Sequence, residues 1–201
     1  MSELDISGNL LTEEIPELKV LQFLKKLNLS NNQIVTLYPL PHNLEILNLS
    51  YNKLKNLSHE VTANLKNLTT LEVTSNGLET LDGVQPMKRL KRLLSKNNQV
   101  QDLQPLKEIY TLVEIDLENN PVDNYSQLIS LLEGKKDILV VNLKLSPVFL
   151  TISSYEQLCS ELESHLLKTI SNVDEKSSLE SFKLKLKHFQ NGCLYRSKRA
   201  Y

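Results

Sequence analysis

Tryptophan is absent from this chain of 201 residues, phenylalanine occurs four times, glycine five times and cysteine twice. Each shortage excludes something. With so few aromatic rings the core cannot be a mosaic of large and small side chains, and must be built from aliphatic residues of nearly one size. Cys159 and Cys193 both lie late in the chain, too few and too uneven for a disulfide framework, so a reducing compartment is expected, cytoplasmic or nuclear. No stretch approaches the roughly 18 uninterrupted apolar residues of a membrane-spanning helix. The first six residues, with acids at Glu3 and Asp5, are not expected to serve as a signal peptide. In that setting the N-x-[ST] triplets at Asn28, Asn48, Asn56, Asn67 and Asn124 read as chance products of a Leu/Asn/Ser-rich sequence. An excess of one charge is also missing: 23 Lys and Arg balance 24 Asp and Glu, a net of −1, which removes the global field of a nucleic-acid or membrane-surface binder.

What is present is leucine and asparagine, 42 and 19 residues, about three in every ten. They are not scattered. In Leu24-Lys-Lys-Leu27-Asn-Leu29-Ser-Asn-Asn32-Gln-Ile34, apolar residues occupy frame positions 1, 4, 6 and 11 and asparagine position 9. The frame returns at Leu44/Leu47/Leu49/Asn52/Leu54, Leu68/Leu71/Val73/Asn76/Leu78, Leu90/Leu93/Asn98/Val100 and Leu112/Ile115/Leu117/Asn120/Val122, with a first copy at Leu4/Ile6/Asn9/Leu11. Successive asparagines lie 23, 20, 24, 22 and 22 residues apart. A fixed period of this length is the mark of a stacked array, in which each unit buries its apolar face against its neighbours.

Each position has a physical reading. Alternation across Leu27, Asn28 and Leu29 predicts a short strand with positions 4 and 6 inward and 3, 5 and 7 outward. An amide at position 9, where the chain turns off the strand, can satisfy backbone groups that the turn leaves unpaired, and stacked copies would form an asparagine ladder. Between strands the apolar residues step by three, as in Leu78, Leu81, Val84, Met87, Leu90, which predicts tight 3₁₀-like turns.

The pattern L-x-x-L-x-L-x-x-N-x-L over residues 1–125 resembles the leucine-rich repeat, and its convex steps of three are similar to the 22-residue class. That class is typified by the SDS-type regulatory subunit of type-1 protein phosphatase, the spliceosomal A-prime protein, outer-arm dynein light chain one and the acidic nuclear phosphoproteins. The resemblance implies an α/β leucine-rich repeat solenoid: a curved parallel sheet on the concave side, 3₁₀ or short helical turns on the convex side, and a C-terminal cap.

The expected organisation is a solenoid with its cap over 1–146 and a helical extension with a basic tail over 147–201. A helix is expected after Asn120-Pro121, from Tyr125 through Leu132 to Gly134, and a seventh strand near 138–145, with Ser146 in place of the ladder asparagine. Further on, Tyr155 to Ile170 reads as an amphipathic helix, and Leu179, Phe182, Leu186 and Phe189 as a second one stopped by Asn191-Gly192, although 182–187 also alternates like a strand. Arg196 to Arg199 is read as a disordered tail. Two irregularities stand out. Ser95 occupies an apolar strand position, so the register of repeat five is expected to weaken or slip by one. The solenoid also begins without a separate cap, so Glu3 and Asp5 supply what polar end there is, or the first repeat is itself a frayed cap.

The resemblance places the partner-binding surface on the concave face: Lys26, Asn48, Tyr51, Glu72, Thr74, Arg92, Lys96, Glu114, Asp116 and Glu118 are the candidate residues, with repeats four to six as the expected contact region. Lys88, Arg89, Lys91, Arg92 and Lys96 cluster between Glu72 and the acidic row Glu114, Asp116 and Glu118. Two readings stand: a solvated face with pairs such as Arg92 to Glu114 and Lys96 to Glu118, each worth roughly 0.2–1 kcal/mol, or a split patch that steers a partner of matching polarity.

No catalytic, cofactor or metal residues are expected. The four histidines are dispersed, and no Gly-rich phosphate loop, H-E-x-x-H or C-x-x-C is present. The chain is therefore read as a non-catalytic module that binds a protein, with direct nucleic-acid or membrane binding not expected and the oligomeric state open. The resemblance implies regulatory docking like that of the phosphatase-binding class. The alternative is a structural subunit of a spliceosome-like nucleoprotein or a cytoskeletal or axonemal assembly.

Overall fold

The computed structural model describes residues 1–12, 15–133, 140–148, 189–190 and 193–195. Seven three-residue strands recur at the predicted frame positions: β1 (Glu3–Asp5), β2 (Lys26–Asn28), β3 (Ile46–Asn48), β4 (Thr70–Glu72), β5 (Arg92–Leu94), β6 (Glu114–Asp116) and β7 (Val140–Asn142). They pair in parallel in sequence order, each in register with the next, so that Leu4, Leu27, Leu47, Leu71, Leu93, Ile115 and Val141 form one inward column. Leu47, Leu71, Leu93 and Ile115 have no exposed surface. Removing side chains of this size from water contributes roughly 1.5–3 kcal/mol each, and the uniformity of the column explains why leucine dominates the composition.

Opposite the strands the steps of three become 3₁₀ turns at Pro16–Val20, Asp82–Val84 and Gln104–Leu106, and two short helices, α1 (His59–Thr62) and α2 (Tyr125–Glu133). Pro16 and Pro105 sit in the first turn of theirs, where a missing N–H costs nothing. Leu81, Val84, Met87, Leu103, Leu106 and Ile109 are essentially fully buried on this side. Neighbouring turns approach closely at Gly83: a Cβ there would lie 2.0 Å from the Leu57 carbonyl oxygen, so only glycine fits.

The ladder does the bonding anticipated for it. Asn98 Nδ2 donates to the carbonyls of Ser95, Lys96 and Val73, the last in the preceding repeat, while its Oδ1 accepts from the Leu78 N–H at 3.1 Å. Asn32, Asn52, Asn76 and Asn120 repeat this pattern, each accepting the N–H of position 11 one repeat back at 2.9 to 3.1 Å. In the seventh repeat Ser146 is buried in the ladder's place and its hydroxyl reaches the Leu117 carbonyl at 3.5 Å.

Two expectations are corrected. Ser95 does not shift repeat five: Arg92, Leu93 and Leu94 stay opposite Thr70, Leu71 and Glu72. The serine is fully buried, and its hydroxyl accepts a hydrogen bond from Asn98 Nδ2 at 3.2 Å, so the polar atom is satisfied inside the frame. The second correction concerns Phe189, placed by the sequence reading at the end of a helix. Instead β8 (Phe189–Gln190) and β9 (Cys193–Tyr195) pair antiparallel, and β9 adds antiparallel to β7, extending the sheet to nine strands among the described residues. Two residues separate β8 from β9, and Asn-Gly at that spacing is the hairpin signature that competes with its reading as a helix stop. The amphipathic helix expected over Tyr155 to Ile170 and the tail Arg196 to Arg199 lie outside the described residues.

Candidate functional site

Because positions 3, 5 and 7 point away from the core, each strand delivers two or three side chains to one continuous outward face. In the row of position 3, Thr70, Arg92 and Glu114 stand side by side. In the row of position 5 the order is Asn48, Glu72, Leu94, Asp116 and Asn142. Position 7 adds Thr74, Lys96 and Glu118. Ten candidate residues thus share this face or its border, but not one neighbourhood. Lys26 is two strands from β4 and is held by Glu3 at 2.7 Å.

Three of the four cations on this face, Lys26, Arg92 and Lys96, are already neutralised. Arg92 Nε donates to Glu114 Oε2 at 2.6 Å, and Lys96 Nζ meets Glu118 Oε2 at 3.0 Å. Each partner holds its cation charged: the Glu114 hydrogen bond raises Arg92, and the Glu118 hydrogen bond raises Lys96. Burial pushes the Glu118 carboxyl up, but hydrogen bonds from Lys96 and Asn142 outweigh it and hold the group below its usual range. At positions 3, 5 and 7 of the seven repeats, six carboxylates (Glu3, Asp5, Glu72, Glu114, Asp116, Glu118) face four cations (Lys26, Arg92, Lys96, Lys144). Three pairs form, and Asp5, Glu72 and Asp116 remain as carboxylates with no ion pair among the described residues.

Glu72 and Asp116 are of particular interest. They flank the half-buried Leu94 on adjacent strands, so at strand spacings near 4.8 Å the two carboxylates are about 10 Å apart with an apolar side chain between them. Glu72 is half-buried, and its carboxylate accepts no hydrogen bond among the described residues. Desolvation raises the Asp116 carboxyl above its ordinary value despite a hydrogen bond from the Glu118 N–H at 3.0 Å. An under-compensated carboxylate of this kind favours an incoming cation.

The basic cluster of repeat five does not assemble on this face. Only Arg92 and Lys96 reach it. Lys88 pairs at 3.9 Å with Glu108 between two 3₁₀ turns, and Arg89 and Lys91 line a groove at the N-terminal ends of the strands. Five cations close in sequence point three ways because strand alternation and the turn before the strand rotate them apart.

One column went unnoticed in the sequence. Position 8 takes a left-handed backbone at Asn31, Tyr51, Ser75, Asn97 and Asn119, with φ of 54° to 58°, at Leu145 with 61° and at Gly8 with 68°. Asparagine and glycine at four of these positions were the available signal. Tyr51 and Leu145 take the same turn at a cost of roughly 1 kcal/mol, and both are more than half exposed. Tyr51 therefore offers an aromatic ring at the border of the strand face. Among the described residues no group of three or more His, Cys, Asp or Glu side chains could hold a metal ion, and no helix is long and apolar enough to cross a membrane.

The Leucine Rich Repeat family model matches residues 23–42 and 43–65. The chain is similar to the geranylgeranyl transferase type-2 subunit alpha of Homo sapiens, 38% identical over 96 residues, which is 46% of this chain and 16% of that one. It is also similar to mimecan of Homo sapiens, 36% identical over 84 residues, 40% of this chain and 28% of that one. The chain thus spans little more than a quarter, at most, of these relatives' lengths. Among solved structures it superposes on an internalin of Listeria monocytogenes with a TM-score of 0.62 at 20% identity, covering 73% of this chain and 42% of the other. A leucine-rich repeat protein of Leptospira interrogans superposes with a TM-score of 0.61 at 24% identity, covering 73% and 43%. At these identities the likeness is one of fold.

Proposed function

We propose that this leucine-rich repeat solenoid works without catalysis, by docking a protein partner on the strand face between β4 and β6. The observation that carries the reading is the Glu72–Leu94–Asp116 row. Its two carboxylates lack the ion pairs that Arg92, Lys96 and Lys26 enjoy, and an apolar side chain separates them. A partner presenting two Lys or Arg side chains about 10 Å apart, with an apolar residue between them, would fill the row. In an extended strand residues i, i+2 and i+4 line one face, with i and i+4 about 13 Å apart, and flexible Lys or Arg side chains at the outer two positions converge on the carboxylates while an apolar residue at i+2 meets Leu94. The strands are locked by the ladder, so binding orders few additional groups on this side and loses little conformational entropy.

Within that reading the role is regulatory docking in the manner of the SDS-type phosphatase subunit, in the cytoplasm or nucleus. The 20- to 24-residue spacing and the 3₁₀ turns opposite the strands support the class. Similarity to one subunit of a transferase suits a module that accompanies an enzyme. The alternative, assembly through the C-terminal extension, is less favoured because part of that extension, β9, is engaged in covering the edge of β7. Truncation at 150 would uncover that edge, so surface substitutions test the proposal more cleanly than deletion.

The test is an equilibrium titration of the affinity-purified partner at about 50 and 300 mM salt. Attraction between its cations and Glu72 and Asp116 weakens as salt screens it, so affinity should fall at the higher salt, and the Glu72→Gln/Asp116→Asn variant should bind more weakly with a flatter salt response. An affinity indifferent to both salt and the substitutions would refute the proposal.

A further inference from the structure

The groove at the N-terminal ends of the strands is a surface separate from the strand face. Its floor is the column of residues three positions before each strand: Phe23, Asn43, Asn67, Arg89 and Thr111, with Lys25, Glu45, Thr69 and Lys91 beside them. It encloses about 710 Å³. A hydrogen-bonded rail runs along it: Asn43 Nδ2 donates to the Gln22 carbonyl at 2.7 Å, Asn67 Nδ2 to Asn43 Oδ1 at 3.4 Å, and Arg89 Nη1 to Asn67 Oδ1 at 2.9 Å. The rail fixes these side chains, and each amide keeps a second N–H for an incoming acceptor.

The two ends of the groove differ in chemistry. At the β2 end Phe23 is 82% exposed, although the adjoining Leu24 is wholly buried. At the β5 end Arg89 hydrogen bonds to a neutral amide, and Lys91 has no carboxylate partner among the described residues. Lys25 does not add to this charge, because Glu45 neutralises it at 2.7 Å. The uncompensated charge is therefore cationic and confined to one end, with an aromatic ring at the other.

We propose that this groove docks an extended acidic peptide segment that lays an apolar side chain on Phe23 and a carboxylate between Arg89 and Lys91. The spacing follows from strand geometry. Phe23 and Arg89 are three strand steps apart, about 14 Å, and an extended peptide covers that length in four residues. Residues i and i+4 also point the same way, so one backbone can present both anchors while the residues between them meet the spare amide donors of Asn43 and Asn67. The peptide chemistry is thus an apolar residue followed, or preceded, by Asp or Glu four positions away.

The probe is a fluorescein-labelled synthetic peptide, Ser-Leu-Ser-Thr-Ser-Glu-Asp-Ser, followed by anisotropy at about 50 mM salt with the full chain. The expected result is saturable binding that weakens at least about tenfold in Arg89→Glu/Lys91→Glu, weakens severalfold in Phe23→Ala, and is unchanged in Glu72→Gln/Asp116→Asn. All of these side chains lie outside the core. A peptide with Lys in place of Glu and Asp should not bind, and that comparison needs no variant at all. Absence of binding at millimolar protein, equal binding of the Lys peptide, or binding unaffected by the Arg89/Lys91 reversal would each overturn the proposal. Loss in Glu72→Gln/Asp116→Asn would relocate the peptide to the strand face and overturn it too. Because the strand-face variant is a separate arm, failure of the groove and failure of the strand face can be told apart.

Discussion

Replacing Asn98 with alanine should cost far more than replacing Asn9 with alanine, although the two occupy the same frame position. Asn98 is 2% exposed and makes four bonds to backbone groups. Three of the groups it serves have other partners: the Ser95 carbonyl accepts from Asn120, that of Val73 from Asn76, and that of Lys96 from the Ser75 N–H. The fourth does not. The Leu78 N–H would be stranded in a buried turn, at about 1–3 kcal/mol, and the lost bonds and the small void add about 1 kcal/mol more. The sum is about 3 kcal/mol. Asn9 is exposed and bonds only within its own repeat, to the Ile6 and Ser7 carbonyls at 2.9 and 3.1 Å, so water replaces it at roughly 0.5 kcal/mol or less. Urea unfolding followed by circular dichroism reads the difference. With a slope near 2 kcal/mol/M, Asn98→Ala should lower the midpoint by about 1.5 M and Asn9→Ala by about 0.25 M or less. Equal shifts, or an Asn98→Ala midpoint within about 0.3 M of the parent, would refute the ladder's role.

Gly83→Ala should destabilise by about 2–4 kcal/mol in the same assay, because its Cβ would meet the Leu57 carbonyl oxygen and neither backbone can retreat; a shift below about 0.5 M would show that the turns can separate. Asp116→Asn should raise stability at pH 7 by a few tenths of a kcal/mol while weakening partner binding. The folded-state carboxyl is raised above its unfolded value, so the folded chain takes up the proton more readily, the charged form is what costs stability, and the advantage of the amide should vanish as pH falls through the carboxylate range. Thermal melts at pH 7 and pH 3.5 check this, and an advantage that persists in acid would contradict it. A double-mutant cycle on Arg92→Ala and Glu114→Ala should give a coupling of at most about 1 kcal/mol, reduced by 0.5 M NaCl, since the pair is partly exposed despite its 2.6 Å contact.

The solenoid was legible in the sequence because its determinants are local and repeated. Leucine at positions 1, 4, 6 and 11 and asparagine at 9 specify strand, turn and ladder afresh in each copy, and seven in-register strands follow. Ser95 misled because a single polar residue at an apolar position looks like a register fault until the Asn98 amide is seen to satisfy it. Phe189 misled because Asn-Gly after an apolar run serves a helix stop and a hairpin equally well, and the pairing with β7 that decides between them spans some fifty residues of sequence. The outward face was legible as a list of positions, not as a charge pattern. Which cations are neutralised depends on the neighbour one repeat away, and Arg89 leaves the face for the rim only because the chain turns before β5. The left-handed column at position 8 had a partial signal in Asn31, Asn97 and Asn119, obscured by Tyr51 and Leu145.

If a protein partner docks on the strand face between β4 and β6, reversing the charge of the Glu72–Asp116 row must release it. The most direct measurement is quantitative affinity capture with three full-length baits: the parent chain, Glu72→Lys/Asp116→Lys on that face, and Glu60→Lys/Glu79→Lys, whose exposed acids lie away from it. The expected result is a partner recovered equally by the parent and the Glu60/Glu79 variant and lost by the Glu72/Asp116 variant. A partner that the Glu72/Asp116 variant still captures at parental levels would contradict it.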